Sequence, residues 1–273
     1  MTTALTETNK APKGTWRQQL RKVILRITLI IAILAPLVFV IAALGVKLGL
    51  WGLGFGLGTL TRDIGPKILM LSGALGLVSL ILAGVFQPRK GFLTGLFAII
   101  ISAAGLVNLK GVKTKVAKLP FIHDVTTDTQ DVPVFTAAIM EQRAKVKGVN
   151  TADYTGKRDA RDKKLVSVLQ TQAYPKIGPL ILSEDLNVVF SKAEAIVTGL
   201  GWDVANSDLE SGLIEATEST FWYGFEDDVI IRLRASEGGG TIVDMRSLSR
   251  IGGSDLGKNA ARIEAFLEKL KAA

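Results

Sequence analysis

The sequence predicts an α+β protein in which N-terminal transmembrane helices precede a small soluble domain. This domain is expected to hold an antiparallel β-sheet of about four strands, with helices packed on one face. Two observations carry the prediction. The first 109 of the 273 residues contain three long apolar runs that hold no charged residue. The C-terminal part contains two amphipathic helical patterns, and four short segments of alternating apolar and polar residues lie between them.

The apolar runs cover residues 27–45, 68–86 and 91–107, with lengths of 19, 19 and 17 residues. At a rise of about 1.5 Å per residue, each helix would approach the roughly 30 Å of a bilayer's hydrocarbon core. None has the polar face of a helix from a soluble core, so we predict three transmembrane helices. A cleaved signal peptide fits poorly, because the first run is too long and ends without a small-x-small cleavage site.

The formal net charge of +8 belongs to the hydrophobic part of the chain. Residues 1–109 hold 11 basic and two acidic residues and carry +9, whereas residues 110–273 carry −1. Binding to nucleic acid depends on a basic domain that neutralises phosphates, so this distribution argues against a nucleic acid partner. The mean hydropathy of +0.34 agrees with a lipid bilayer as the partner of the first part.

The orientation in the membrane follows from Lys and Arg residues near the predicted spans. Eight lie before the first span or between the second and third, and seven lie on the other side. The cluster before the first helix usually dominates, so we expect a basic, cytoplasmic N-terminus over residues 1–26. A membrane domain is then expected over 27–109, a short tether over 110–119, and an extracytoplasmic soluble domain over 120–273.

Glycine recurs in the link between the first two spans, at positions 45, 49, 52, 54, 56 and 58. Several pairs have the G-x-x-x-G spacing that lets helix backbones approach closely, and Gly91 and Gly95 repeat it. The pattern favours tight helix packing, and the alternative is an interfacial or re-entrant segment anchored by Trp51. No charged residue and no His lies within a predicted span, which argues against a transporter or a channel.

The soluble domain begins with an extended segment and continues with alternating helix and strand signals. Helices are predicted over about 134–147, 164–171 and 186–200, with a last one from about Asp255. The four predicted strands are Trp202–Asn206, Leu213–Thr220, Asp228–Ala235 and Thr241–Ser249. The expected N-caps of the last two helices are Ser183 and Ser254.

A group of charged and hydroxyl side chains near the last two strands is the candidate ligand-binding site. Its members are Arg232, Asp244, Arg246, Ser249, Arg250 and Ser254. In one interpretation, Arg246 and Arg250 converge near the start of the last helix and bind an anion, since arginine forks match carboxylate or phosphate. In the other, this face of the sheet is solvated and carries cross-strand ion pairs such as Asp244 with Arg232.

No catalytic residue, metal site or cofactor is predicted. The absence of Cys excludes disulfides, Cys zinc sites, iron–sulfur clusters and thiol nucleophiles. His123 is the single His, which excludes a metal site with several His ligands. His123 and Asp124 are adjacent on an extended segment, so their side chains point to opposite faces and do not form an acid–base dyad.

Aromatic residues fill the link between the second and third predicted strands, at Phe221, Trp222, Tyr223 and Phe225. One expectation is that they pack over an open end of the sheet. The alternative is that they dip into the membrane interface or hold an apolar ligand.

Four segments carry a family resemblance: Phe121–Asp128, Ala173–Pro175, Phe221–Val229 and Val243–Ile263. Over about residues 120–270 the sequence resembles the family called domain of unknown function 1499, which is found in bacteria and plants. The resemblance implies a small domain that is often attached to membrane helices in proteobacteria, and hence a place in the bacterial inner membrane. It implies no established activity and no catalytic residues.

We therefore expect a non-enzymatic, membrane-anchored domain of the cell envelope. Its partner would be another membrane protein or a small anionic or amphipathic ligand. The alternative is an enzyme that acts on an envelope substrate, with Arg246, Arg250 and Asp244 as electrostatic and acid–base groups. A third hypothesis is a structural subunit of a membrane complex that uses the glycine-rich helices.

Overall fold

The computed structural model describes residues 16–87 and 89–273. Lys10 and Lys13 of the basic N-terminus, and Pro88 of the turn between the second and third spans, lie outside the described residues. The chain divides into two compact units, with the boundary between Val112 and Lys113. The first unit is helical, and the second combines helices with a β-sheet.

The helical unit contains α1 (Trp16–Lys47), α2 (Gly65–Val85) and α3 (Phe92–Ala117). A π-helical segment, Gly54–Ile64, leads directly into α2. The spans Trp16–Lys47, Gly54–Val85 and Phe92–Ala117 are long and apolar enough to cross a membrane. These helices extend past the apolar runs, because backbone hydrogen bonds continue where the side chains become polar. Residues 110–117, predicted as part of a tether, are the last two turns of α3.

Glycines allow neighbouring helices to approach closely. A Cβ at Gly76 in α2 would lie 2.9 Å from the carbonyl oxygen of Gly95, and one at Gly95 would lie 2.7 Å from that of Gly76. In the glycine-rich link, a Cβ at Gly56 would lie 2.8 Å from a backbone oxygen of α1. The hydroxyls of Thr28 and Ser79 are 3.0 Å apart and join α1 to α2. Tight packing is therefore present at Gly56 and Gly95 of the predicted pattern, whereas a Cβ at Gly49, Gly52, Gly54 or Gly58 of the link would meet nothing within 4 Å.

The second unit contains a six-stranded antiparallel sheet, which confirms the α+β class. Its strands are β1 (Asp124–Thr126), β2 (Leu180–Leu182), β3 (Asp203–Asp208), β4 (Leu213–Ser219), β5 (Glu226–Ala235) and β6 (Thr241–Ser249). The spatial order is β1-β6-β5-β4-β3, and β2 also pairs with β6. The last four strands are the predicted ones, whereas β1 and β2 hold three residues each and are too short to show a period.

Four helices complete the unit: α4 (Ala137–Ala144), α5 (Val166–Ala173), α6 (Leu186–Gly199) and α7 (Lys258–Ala272). The predicted N-caps are wrong for the last two. The N-cap of α6 is Asp185 rather than Ser183. The N-cap of α7 is Gly257, whose φ of +79° suits glycine and delays the helix beyond Ser254. The Ser254 hydroxyl accepts a hydrogen bond from the Leu256 N–H instead, at 3.3 Å.

Helices cover both faces of the sheet, rather than the one face expected. On the first face α6 and α7 pack against alternate strand residues, and Ile231 and Met245 share a buried cluster with Phe266. On the second face Ile230 lies in a smaller buried cluster with Ile139 of α4. The second face carries the charged residues of β5 and β6 except Asp227, which pairs with Arg262 of α7 on the first face. The segment that covers the second face determines what its charged residues do.

Candidate functional site

The polar face of β5 and β6 is buried. Asp244 is completely buried, and Arg246 and Arg250 are 2% and 6% exposed. The segment 127–154 lies over this face, and its backbone oxygens accept hydrogen bonds from the sheet arginines. The interpretation of a solvated face is therefore wrong for these three residues. Charges buried in this way require partners within the protein.

Arg246 is neutralised by Asp124 of β1. Its Nε donates to Oδ1 of Asp124 at 3.0 Å and its Nη2 to Oδ2 at 2.9 Å, which is a bidentate pair. Nη1 and Nη2 also donate to the carbonyl oxygens of Pro133 and Ala152, at 3.1 and 2.6 Å. The Cζ atom lies 5.3 Å from the ring centroid of Phe135. The guanidinium is thus engaged on all sides by its own domain.

Arg250 shares a second carboxylate, Asp228 of β5, with Arg143 of α4. Arg250 donates to Asp228 from Nε at 3.0 Å and from Nη2 at 2.8 Å. Arg143 donates to the same carboxylate from Nη1 at 2.6 Å. Glu226 adds an ion pair with Arg250 at 2.7 Å. These contacts hold α4 on the second face of the sheet.

Asp244 is the third buried carboxylate that pairs with arginines, after Asp124 and Asp228. It accepts from Arg232 at 3.0 Å and from Arg234 at 2.7 Å, so the predicted pair of Asp244 with Arg232 is confirmed. The hydroxyl of Thr127 donates to Asp244 at 3.3 Å. Both arginines also reach the more exposed Asp131, at 3.1 and 2.9 Å.

Ser249 and Ser254 lie apart from these arginines. Ser249 faces α7, where Nδ2 of Asn259 donates to its hydroxyl at 3.1 Å. Arg250, the next residue, points to the other face, as expected for neighbours in an extended chain. The structure therefore brings Arg232 and Asp244 together, gives Arg246 and Arg250 separate carboxylates, and leaves both serines outside.

Four of the six candidate residues thus belong to a scaffold of buried ion pairs, and the six do not converge on one pocket. A guanidinium whose fork is occupied by a carboxylate offers no vacant fork to an incoming anion. Breaking such a pair is costly because it leaves an uncompensated buried charge. The arrangement therefore fixes the covering segment on the sheet.

His123 lies at the start of β1, beside this scaffold. Its Nδ1 is 3.3 Å from the carbonyl oxygen of Gly253, while the neighbouring Asp124 side chain contacts Arg246. The two side chains do not form a dyad, as the extended backbone predicts. Burial and the nearby Lys157 ammonium lower the pKa of His123, so the imidazole is neutral at pH 7.

An exposed basic loop, residues 145–164, follows α4. It holds seven basic and three acidic residues and carries +4. The other residues from 120 to 273 hold 11 basic and 20 acidic residues and carry −9. The exposed cations of the basic loop are Lys145, Lys147, Arg158, Arg161, Lys163 and Lys164. The basic loop is therefore a local positive region in a domain whose net charge is negative.

Side-chain hydrogen bonds order the tip of the basic loop. The Asp159 carboxylate accepts from the backbone N–H groups of Arg161, Asp162 and Lys164, at 2.9, 2.7 and 2.7 Å. The guanidinium of Arg161 lies 4.6 Å from the ring centroid of Phe121. A loop that is ordered before binding loses less conformational entropy when a ligand arrives.

The base of the basic loop is tied to the scaffold. Nδ2 of Asn150 donates to the carbonyl oxygens of Ser249 and Gly252, at 3.0 and 2.9 Å. Nζ of Lys157 donates to Oδ2 of Asp124 at 3.3 Å. Burial lowers the pKa of Lys157, and the charge of Asp124 opposes this effect. The ion pairs of the sheet therefore support the surface from which the loop projects.

The aromatic link between β4 and β5 is exposed at its tip. Phe221 and Trp222 are 68% and 50% exposed and form an edge-to-face pair with ring centroids 5.0 Å apart. Tyr223 and Gly224 have φ values of +64° and +63°, which turn the chain back into β5. Packing over the sheet end is therefore wrong for the two tip residues. A contact with the membrane interface or an apolar ligand stays a prediction.

Within residues 16–87 and 89–273, no cluster of three or more His, Asp and Glu side chains could hold a metal ion.

The sequence profile of one family, described as Protein of unknown function (DUF1499), matches residues 124–270. This match covers more than half of the chain, and it spans the whole sheet and nearly all of α7. The chain belongs to the DUF1499 family. The match confirms the resemblance in the α+β domain, whereas no curated protein matches the chain. The DUF1499 description names no activity.

Proposed function

We propose that this DUF1499 protein is a non-enzymatic, membrane-anchored binding protein of the bacterial cell envelope. Its α+β domain binds an anionic ligand or partner through the basic loop. The observation that carries the proposal is the separation of charge, since a loop of +4 projects from a domain whose remainder carries −9. A local positive field attracts anions and raises their rate of association.

The cations of the basic loop can contact an incoming anion, whereas the arginines of the sheet are already paired with carboxylates. Within the described ranges, no ion pair involves the loop's six exposed cations. Arg246 and Arg250, by contrast, are occupied by Asp124 and Asp228. An anion that contacts several exposed lysines gains from each of them, and this gain weakens as salt screens the charges.

The proposed location is the bacterial inner membrane, with the N-terminus in the cytoplasm and the α+β domain outside. Three apolar spans and the margin of eight basic residues against seven support this topology. Because the chain has no Cys, a single K147C substitution gives a unique label site in the basic loop. A membrane-impermeant maleimide should label K147C in intact spheroplasts, and protection until lysis would reverse the topology.

An enzyme that acts on an envelope substrate is the competing hypothesis. It requires Arg246, Arg250 and Asp244 to meet a substrate, whereas each contacts a charged partner inside the domain. A structural subunit that uses its glycines for assembly is the third hypothesis. Its best glycine pair, Gly76 and Gly95, is already used between α2 and α3 of the same chain. Both observations favour the binding protein.

The proposal is tested by reversing the charge of the basic loop in the full-length protein. The loop variant is K145E/K147E/K163E/K164E, and the matched control is K176E/K258E/K269E/K271E, which reverses four exposed lysines elsewhere. Each protein is purified from its own membrane at low salt, and the retained lipids and proteins are quantified by mass spectrometry. An anionic species should accompany the wild type and the control but not the loop variant.

Two results would contradict the proposal. Equal retention by the loop variant and the control would show that the basic loop does not bind the species. Chemical conversion of the retained species by the purified protein would favour the enzyme hypothesis. Raising the salt concentration about tenfold should release the species from the wild type, because the Debye length then shortens about threefold.

A further inference from the structure

The helical unit contains a cavity of about 500 Å³ where α1 begins and α2 ends. Its lining includes Trp16, Arg17, Arg21, Ile24, Leu82 and Phe86. Arg17, Arg21 and Ile24 are spaced by four and three residues, so they lie on one face of α1. The cavity is thus bounded by cationic groups from α1 and by apolar groups from both helices.

A backbone hydrogen bond holds the Arg21 guanidinium near the cavity, and a ring contact holds that of Arg17. Arg21 is 8% exposed, and its Nη1 donates to the carbonyl oxygen of Phe86, the C-cap residue of α2, at 3.4 Å. The Cζ atom of Arg17 lies 5.5 Å from the ring centroid of Trp16. Arginine suits phosphate because its planar fork donates two parallel hydrogen bonds.

The cavity lies where a bilayer would place its headgroups. Arg21 precedes the apolar run 27–45 by six residues, which is about 9 Å along a helix axis. Phe86 is the last residue of the apolar run 68–86. The headgroup region on each side of the hydrocarbon core is roughly 5–8 Å thick, and tryptophan is enriched there. An arginine side chain can reach across the remaining distance.

We propose that this cavity binds the phosphate group of an anionic phospholipid. Arg17 and Arg21 contact the phosphate, and an acyl chain lies against Ile24 and Leu82. The inference rests on the membrane insertion proposed above, but it is independent of the basic loop, which belongs to the other unit. Free phosphate would use the two arginines and leave the apolar wall without a role, so a bilayer lipid is the ligand that uses the whole lining.

The test measures lipid binding to the full-length protein in detergent by native mass spectrometry. Phosphatidylglycerol is compared with phosphatidylcholine, which has the same acyl chains and no net charge. We expect phosphatidylglycerol to bind about tenfold more tightly, and R17Q/R21Q to abolish this preference. K22Q/R26Q is the matched control, because it removes two exposed charges of α1 that do not line the cavity. This control should keep the preference.

R17Q alone is a second test variant that should fold normally, because Arg17 is exposed whereas Arg21 is buried. It should weaken phosphatidylglycerol binding and leave the helical content unchanged. Equal binding of the two lipids, or an equal loss in K22Q/R26Q, overturns the proposal. Displacement of phosphatidylglycerol by millimolar inorganic phosphate assigns the site to free phosphate instead.

Alkaline carbonate extraction tests membrane insertion independently of lipid binding, and the lipid site depends on this insertion. Release of the protein into the soluble fraction means that insertion itself fails. Retention in the membrane fraction, together with no preference for phosphatidylglycerol, means that only the lipid site fails.

Discussion

Arg246 and Asp124 form two hydrogen bonds of 3.0 and 2.9 Å across the β6–β1 pair, although 122 positions separate them in the chain. Asp124 is directly opposite Leu248, so Arg246 is its diagonal neighbour on the same face of the sheet. The two side chains are 2% and 1% exposed. The pair therefore fastens a strand of only three residues to the edge of the sheet.

Replacing Asp124 by Asn should strongly destabilise the α+β domain. The substitution leaves Arg246 buried without its counter-charge and also removes the ion pair with Lys157. Breaking a buried pair in this way costs about 3–5 kcal/mol of the free energy of unfolding. Urea unfolding of the full-length protein in detergent, followed by near-UV circular dichroism, measures the loss.

Asp162→Asn is the control for this prediction, because Asp162 is exposed in the same domain. Its effect should stay within about 0.5 kcal/mol, as for most surface substitutions. If D124N and D162N have equal effects, the ion pair does not hold β1 in place.

Asp255 should make the domain less stable as the pH rises. Burial raises the pKa of Asp255 to about 6 from 3.8, so the folded protein binds a proton that the unfolded chain releases. The stabilisation from this proton is complete below the unfolded pKa and is lost as the pH rises through about 6. Asp255→Asn removes the charge and keeps a side-chain oxygen to accept from the N–H of Gly257. The stability of D255N relative to the wild type should therefore increase between about pH 4 and pH 7.

Asp208→Asn is the control for D255N, because the pKa of Asp208 is shifted in the opposite direction. The hydrogen bond from Ser211 lowers the pKa of Asp208, so its stabilisation is present above the ordinary pKa and is lost only in acid. The stability of D208N relative to the wild type should stay constant between about pH 5 and pH 7. Thermal unfolding of both variants over this range measures the two trends. A flat profile for D255N would show that the pKa of Asp255 is not raised in the folded domain.

The strand β6 could be predicted to its end residues, whereas the environment of its polar face could not. Alternation in Thr241–Ser249 shows that Asp244 and Arg246 share a face. It does not show what covers them, because the covering groups come from Asp124 and residues 127–154, about a hundred positions away. A strand pattern contains the period of the strand and no information on its distant partners.

Two further features of the structure could not be predicted from the sequence pattern. The start of α7 was expected at Asp255, but the left-handed backbone at Gly257 places it at Lys258. The net charge of the α+β domain does not indicate the basic loop, because the surrounding acidic residues outweigh its seven basic residues. The three long apolar helices could be predicted most directly, because each contains an uninterrupted run of apolar residues without a charge.

Gly76→Val should disrupt the packing of α2 against α3. A Cβ at Gly76 would lie 2.9 Å from the carbonyl oxygen of Gly95, so the helix backbones must separate. Overpacking of this kind costs about 1–3 kcal/mol. Gly84→Val is the matched control in the same helix, because a Cβ at Gly84 meets nothing within 4 Å. Thermal unfolding in detergent, followed by far-UV circular dichroism, should show a lower midpoint for G76V than for G84V, and equal midpoints would contradict close packing at Gly76.

Two tryptophans of the α+β domain should respond very differently to replacement by Ala. Trp202 is 8% exposed and stacks on Phe266 of α7, with ring centroids 6.1 Å apart. W202A should cost about 3–5 kcal/mol, because it leaves a cavity between the sheet and the helix. Trp222 is 50% exposed, and W222A should change the free energy of unfolding by less than about 0.5 kcal/mol. Urea unfolding of the two full-length variants measures both free energies of unfolding. A large decrease for W222A would mean that the β4–β5 link packs against the domain and does not expose the Trp222 ring to solvent.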